Sequence, residues 1–184
     1  MMFNNSGNMG LPLMVLAFGE QALPLAVVLF FVENTLHYSL GTWMLDHHAK
    51  LWNLWRVPVI AAAIAGLAVS LLRIELWAPL YIGIKMLGDV SIPLLLFSLG
   101  VRLTDSVARD VKLCLVGAAL CPLAGMAIAW AVAPLLGVDD MQAGMLLIFG
   151  ALPPAVLNYI FAEKYKQEPE RVASIVMIGN TAAL

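Results

Sequence analysis

Long apolar stretches interrupted only by short charged clusters run the length of this chain, and a chain so patterned folds with lipid as its solvent. The stretches at residues 23–45, 57–72, 79–101, 111–136 and 141–162 each hold about 16 to 25 residues, close to the roughly 20 that cover a 30 Å hydrocarbon core. Composition closes off the alternative. Of the 184 residues 62% are hydrophobic and 12% charged, with a mean hydropathy of +0.91, which leaves too little polar surface to clothe a water-soluble domain. The expected class is an all-α polytopic membrane protein with five complete crossings and a partial segment at each end. Trp43, Trp52, Trp55 and Trp77 fall near the expected span ends, where indole rings settle at the lipid–water boundary.

The charges orient the chain and exclude several functions. Connections at residues 46–56, 102–112 and 163–171 carry Lys50, Arg56, Arg102, Arg109, Lys112, Lys164, Lys166 and Arg171, whereas the opposite connections carry only Arg73. By the positive-inside rule the first set is cytoplasmic, and the expected address is the plasma membrane, the bacterial inner membrane. A net charge of -2 with a pI near 5.8 offers no basic surface for nucleic acid. Three His and two Cys are too scattered for a metal framework, and Cys114 and Cys121 read as small core residues. An intramembrane hydrolase would need paired aspartates, H-E-x-x-H or a Ser–His pair. Asp89 alone among the aspartates falls in a span, within Met86-Leu87-Gly88-Asp89, and no H-E-x-x-H occurs, so an enzyme is not expected. A channel would show a filter loop or pore-lining ring.

The ends read as the interior of a longer protein. The apolar part of residues 1–18 is too short to span, and the last segment, from Val172 to Leu184, rises only about 20 Å at 1.5 Å per residue. MMFNNSGNMG has no basic region followed by an apolar core, so it is no signal peptide. Leu11-Pro12-Leu13-Met14-Val15-Leu16 and Leu152-Pro153-Pro154-Ala155-Val156-Leu157 both read L-P-x-x-V-L, and Asn34-Thr35 downstream of the first matches Asn180-Thr181 downstream of the second. The two motifs fall on segments that cross in opposite directions, an inverted repeat whose first half lacks three opening helices. The expected division is residues 1–45 as the end of the first repeat, 46–56 as a cytoplasmic linker and 57–184 as the second repeat with its last helix incomplete.

Proline at midspan removes backbone donors and disfavours helix for the preceding residue. Pro12 and the pair Pro153-Pro154 are therefore expected to split their segments into half-helices. Irregular backbone at that depth survives only where protein or a water-filled cavity satisfies it. Half-helix N-termini present free N–H groups and the positive end of the helix dipole, a seat for a carboxylate, and Asn5, Asn8 and Asn158 flank the breaks as side-chain donors. Gly7, Gly10 and Gly150 would let these segments approach closely.

The stretch Asn4-Asn5-Ser6-Gly7-Asn8-Met9-Gly10-Leu11-Pro12 with Phe18-Gly19-Glu20, and Ala151-Leu152-Pro153-Pro154-Ala155-Val156 running to Ala162-Glu163-Lys164-Tyr165, resemble the auxin efflux carrier family in its bacterial branch. The resemblance covers nearly the whole chain, from the broken fourth helix to the start of the tenth. It implies ten helices in two inverted five-helix repeats, broken helices that cross at the membrane centre, and carriage of small organic anions, with mono- and dicarboxylates as the bacterial cargo. This chain would then hold a partial inverted five-helix repeat, in an architecture shared with sodium–bile-acid symporters. By that likeness the candidate substrate site is Asn5, Asn8, Gly10, Pro12, Pro153, Pro154 and Asn158, and a homodimer through the scaffold helices is implied. The chain departs from the family pattern in lacking three opening helices.

Other polar groups lie within the spans. Glu33 and His37, four apart on one helix face, are candidates for pairing or for proton or sodium coupling. Lys85 and Asp89 share that spacing and read as a charge-neutral structural pair, while His47-His48 beside Asp46 read as solvated loop residues. No cofactor is expected. The reading is a secondary transporter of small organic anions by alternating access. The alternatives are a sodium-coupled bile-acid-type symporter and a membrane fragment or interaction subunit without transport of its own.

Overall fold

A computed structural model of the chain describes residues 3–47, 57–104 and 111–183, and all regular structure among them is helical. The helices are α1 (Ser6–Phe18), α2 (Glu20–Leu45), α3 (Pro58–Leu71), α4 (Ala78–Thr104), α5 (Val111–Leu136), α6 (Asp140–Ala151), α7 (Val156–Lys164) and α8 (Pro169–Ala182). Four of the expected stretches appear as α2 to α5, with ends that agree within one turn. The fifth, residues 141–162, is divided between α6 and α7. Among the described residues, α2 and the Cys114–Leu136 part of α5 are long and apolar enough to cross a bilayer, and the 27 residues of α4 extend about 40 Å at 1.5 Å per residue. Lys50, Trp52, Trp55, Arg56, Arg109 and His48 lie outside the described residues. The helices trim the expected loops: α4 continues through Arg102 to Thr104, and the 163–171 connection shrinks to the turn between Lys164 and Pro169.

Local chemistry sets the boundaries. Pro58 and Pro169 open α3 and α8, at a position where a missing N–H costs nothing and the fixed φ suits the helix. Gly137 follows α5 with φ +62°, the left-handed stop that glycine makes without strain. Two residues on, Asp139 accepts a 2.8 Å bond from the Gln142 amide while the Gln142 side chain accepts from the Asp139 amide at 3.3 Å. This capping box satisfies two of the donors that the start of α6 would otherwise leave free.

α5 is the post on which the second half is built, packing against both α6 and α8. Its contact with α6 is backbone on backbone: a Cβ at Gly125 would strike the Gly150 carbonyl, and one at Gly150 would strike that of Gly125. Small residues serve this purpose in membrane helix pairs because dispersion rather than hydrophobicity drives their association. Two buried clusters extend from this seam. One joins Met9, Leu152, Val156 and Val176; the other joins Met14, Ala22, Ala26 and Met145. Both bridge the first two helices to the last three, so the core lies between the two halves.

On the opposite side, residues 78–91 of α4 are exposed throughout. Lys85 and Asp89 form the expected pair, with Nζ 2.9 Å from Oδ2 and 3.1 Å from Oδ1. Two charges one turn apart cancel on a face that is otherwise apolar.

The glycine seam predicts a clear contrast. Gly125→Ala and Gly150→Ala should each lower the thermal unfolding temperature of the detergent-solubilised protein, by the equivalent of about 1–3 kcal/mol. Gly66→Ala in α3, where a Cβ meets nothing within 4 Å, should leave it unchanged or raise it.

Candidate functional site: a crossing of two interrupted segments

Between α6 and α7 the chain leaves helical geometry, Leu152 at φ -61°, ψ 143° and Ala155 at φ -61°, ψ 139°. A second non-helical stretch, residues 3–5, precedes α1. The two meet as a single antiparallel bridge between Asn4 and Pro154. The Asn5 N–H donates to the Pro153 carbonyl at 2.7 Å and the Ala155 N–H to the Phe3 carbonyl at 3.0 Å. Pro153 and Pro154 have no N–H to give, so this stretch frees carbonyls, and the Asn5 amide supplies the donor that one of them needs.

Side chains tie the bridge to its surroundings. Asn180 on α8 is fully buried. Its amide donates to the Pro154 carbonyl at 2.9 Å and the Val176 carbonyl at 2.8 Å, and its oxygen accepts from Asn5 Nδ2 at 2.6 Å. Gly179 makes this reach feasible, since its bare Cα faces the Pro154 ring, where a Cβ would lie 2.9 Å from Cδ. Asn4 Nδ2 donates to the Phe149 carbonyl at 2.6 Å, and Asn158 Nδ2 to the Phe3 carbonyl at 2.9 Å. The Phe3 ring stacks on His37 with centroids 4.2 Å apart, and His37 meets the edge of Phe161 at 4.9 Å. Gly41, in a π-helical turn of α2 that starts at His37, leaves room for the Phe3 ring.

The crossing gathers most of the residues singled out from sequence, with corrections to their roles. Pro153 and Pro154 lie in the break, fully buried. Pro12, expected at the other break, is instead inside α1, which begins at Ser6. A π-helical turn over Ser6–Gly10, in which the Gly10 amide reaches the Asn5 carbonyl at 3.0 Å, widens the helix just before Pro12. The extra residue in that turn accommodates the donor and the space that proline takes from a regular helix. The L-P-x-x-V-L match therefore equates a helical Leu11-Pro12 with an extended Leu152-Pro153. Gly10 does bring the two segments together, lying against the Leu152 side chain, but Gly7 faces Phe30 of α2 and Gly150 faces α5. Asn5 and Asn158 each spend an amide hydrogen on the crossing. Asn180 and Asn4 carry as much of the clasp as any residue named from sequence. The signal for both was visible: Asn180 is a polar side chain beside a glycine in an apolar segment, and Asn4 opens a polar run ahead of one.

A cavity of about 220 Å³ opens at the crossing. Asn4, Asn5, Ser6, Gly7 and Asn8 form one wall, Ala155, Val156 and Leu157 another, and Phe30, Glu33, Asn34, His37 and Tyr38 of α2 a third. The first turns of α1 and α7 thus face one space, and the amides of a first turn have no acceptor within their own helix. Asn8 lines this wall directly. Glu33 and His37 share the α2 face, as their spacing requires, but take different partners: Glu33 Oε2 accepts from the Ser6 hydroxyl, and His37 is held between Phe3 and Phe161. A second cavity of similar size, lined by Phe3, His37, Met44, Asn158 and Phe161 among others, is mainly apolar.

Asn180→Leu should strand the Asn5 amide and the Pro154 carbonyl, each at about 1–3 kcal/mol when buried without a partner. The expected outcome is a large drop in unfolding temperature in detergent, against little change for Thr181→Val at the exposed neighbour.

Residues 47–184 match the model of a family described as membrane transport protein. The chain is also 21% identical, over an alignment of 193 positions, to an uncharacterized transporter of Methanocaldococcus jannaschii. That alignment covers all of this chain and 63% of the relative, so the chain spans less than two thirds of the length of the curated protein it matches. No solved structure matches it. The family match extends from the α2–α3 connection to the last residue and takes in the proline break, the glycine seam and Asn180; this chain belongs to the membrane transport protein family, that of the auxin efflux carriers, and is no enzyme.

Proposed function

We propose that this chain carries the substrate site of a secondary transporter for small organic anions, mono- or dicarboxylates, and that the site is the cavity at the crossing. The observation that carries this reading is that the N-terminal turns of α1 and α7, whose first amides have no acceptor four residues back in their own helix and which carry the positive ends of the dipoles, line the same space. Two such turns from separate segments can hold the two oxygens of one carboxylate. Asn8 adds a side-chain donor, while Asn5, Pro153, Pro154 and Asn158 keep the turns in register. A space of about 220 Å³ is smaller than the roughly 300–1,000 Å³ of sites for drug-sized ligands and suits an anion of a few carbons.

Transport follows by alternating access, the crossing moving as a unit against the remaining helices and opening first to one side and then to the other. The inverted repeat, a scaffold-mediated homodimer, and an inner-membrane orientation with residues 46–56, 102–112 and 163–171 in the cytoplasm belong to this same reading, supported by the family and by the distribution of Lys and Arg.

The test is binding of radiolabelled malonate, malate and pyruvate to the full chain in lipid nanodiscs. At least one should bind saturably, and Asn8→Ala should weaken it about tenfold, the worth of one hydrogen bond to a charged group, while Gly66→Ala leaves it unchanged. Binding of none of the three, or equal affinity in Asn8→Ala, would contradict the placement.

A further inference from the structure

Two buried oxygens among those lining the crossing cavity have no hydrogen-bond donor: Oε1 of Glu33 and Oδ1 of Asn4. Neither can be relieved by turning its own side chain. The amide of Asn4 is fixed by its 2.6 Å bond to the Phe149 carbonyl, and reversing it would set two oxygens against each other. The Glu33 carboxylate accepts from the Ser6 hydroxyl through Oε2 and has the Asn4 backbone N–H beside it, while Oε1 keeps no partner. No Lys or Arg lines this cavity among the described residues, so neither side chain balances the carboxylate. A largely enclosed carboxylate with an unpartnered oxygen and no Lys or Arg beside it is an expensive arrangement. One proton on Oε1 removes the charge and converts the orphan acceptor into a donor, with Asn4 Oδ1 an unpaired acceptor on the same cavity.

We propose that Glu33 is the proton-binding group of this carrier, taking up one proton as a carboxylate enters the crossing cavity, so that anion and proton move together. This rests on the anion-site reading above. The coupling is electrostatic and mechanical. An ionised Glu33 repels an anion in the cavity it shares, and the neutral acid does not. Glu33 also grips Ser6, the first residue of α1, so its charge state acts on the turn whose amides face the anion. The proton passes from water to Oε1 when the cavity is open to one side and returns to water when it opens to the other. Other titratable groups near Glu33 are His37 and Tyr38 on α2 and Cys121 on α5. The cavity residues from α1, from Val59 of α3 and from the start of α7 include none. His37 is engaged by the two phenylalanine rings, which leaves Glu33 as the carboxylate that can cancel its own charge.

Infrared titration of the full chain in lipid, with no substrate present, reads the proposal directly. A carbonyl band of a protonated, water-excluded carboxyl should grow as the pH is lowered, vanish in Glu33→Gln and shift in Ser6→Ala. With pyruvate, which stays ionised near neutral pH, binding at a pH where the band shows Glu33 ionised should take up one proton per anion in the wild type and none in Glu33→Gln. Absence of any such band from the wild type, or its survival in Glu33→Gln, would overturn the assignment. So would an ionised Glu33 at every pH together with sodium-dependent binding, which would put a sodium ion in the proton's place. If no carboxylate binds, the anion site fails, while the substrate-free titration still decides the role of Glu33.

Discussion

Backbone that leaves the helix inside an apolar layer must find partners for every peptide group it frees, because lipid offers none. Here two non-helical stretches solve the problem for each other. Residues 3–5 and 152–155 pair by two backbone hydrogen bonds, and the Pro154 carbonyl is taken up by Asn180. The rest of the molecule follows from keeping that pairing in place. α8 must come close enough for Asn180 to reach, which needs Gly179; α6 must approach α5 closely, which needs Gly125 and Gly150. The aromatic stack of Phe3, His37 and Phe161 fastens the first non-helical stretch to α2 and α7.

The same constraint creates the site. Two segments that both enter helices after crossing turn the amides of their first turns toward a common space. The fold therefore concentrates helix-dipole charge and first-turn amides where it is least regular. Pro153, Pro154, Asn5 and Asn158 need not touch a substrate for this to hold. Pro153 and Pro154 prevent helix through the crossing, Asn5 and Asn158 fasten it, and the groups left facing the cavity are amides, Asn8 and the polar face of α2. The single carboxylate on that face, Glu33, answers to the same geometry, since its partner Ser6 is where α1 begins.

Much of this was legible in the sequence because it depends on local chemistry. Apolar length located α2 to α5 within a turn, the Pro-Pro pair located the break between α6 and α7, and the Lys85–Asp89 spacing gave a real ion pair. Pro12 misled because proline reports only that a regular helix is perturbed, and a π-helical turn absorbed the perturbation where the Pro-Pro pair could not be absorbed. The better marker of the first non-helical stretch was the polar run Asn4-Asn5-Ser6 ahead of an apolar segment. The partner choices of Glu33 and Asn180 were beyond reach of spacing. Glu33 lies one turn from His37 on α2 yet bonds to a residue 27 positions away, and Asn180 reaches Asn5 across 175. Such choices are set by how α1, α2 and α8 converge on the crossing.

The central claim is that one carboxylate is held between the first turns of α1 and α7, and the distance from ligand to backbone is its most direct test. Solid-state NMR recoupling between the labelled carboxylate carbon of a bound ligand and ¹⁵N-labelled backbone amides of Gly7 and Val156 measures it in lipid. The account predicts both nitrogens within about 4 Å of that carbon, the span of an N–H···O bond plus the C–O bond. A bound carboxylate that recouples with neither amide would contradict it and place the substrate elsewhere in the protein.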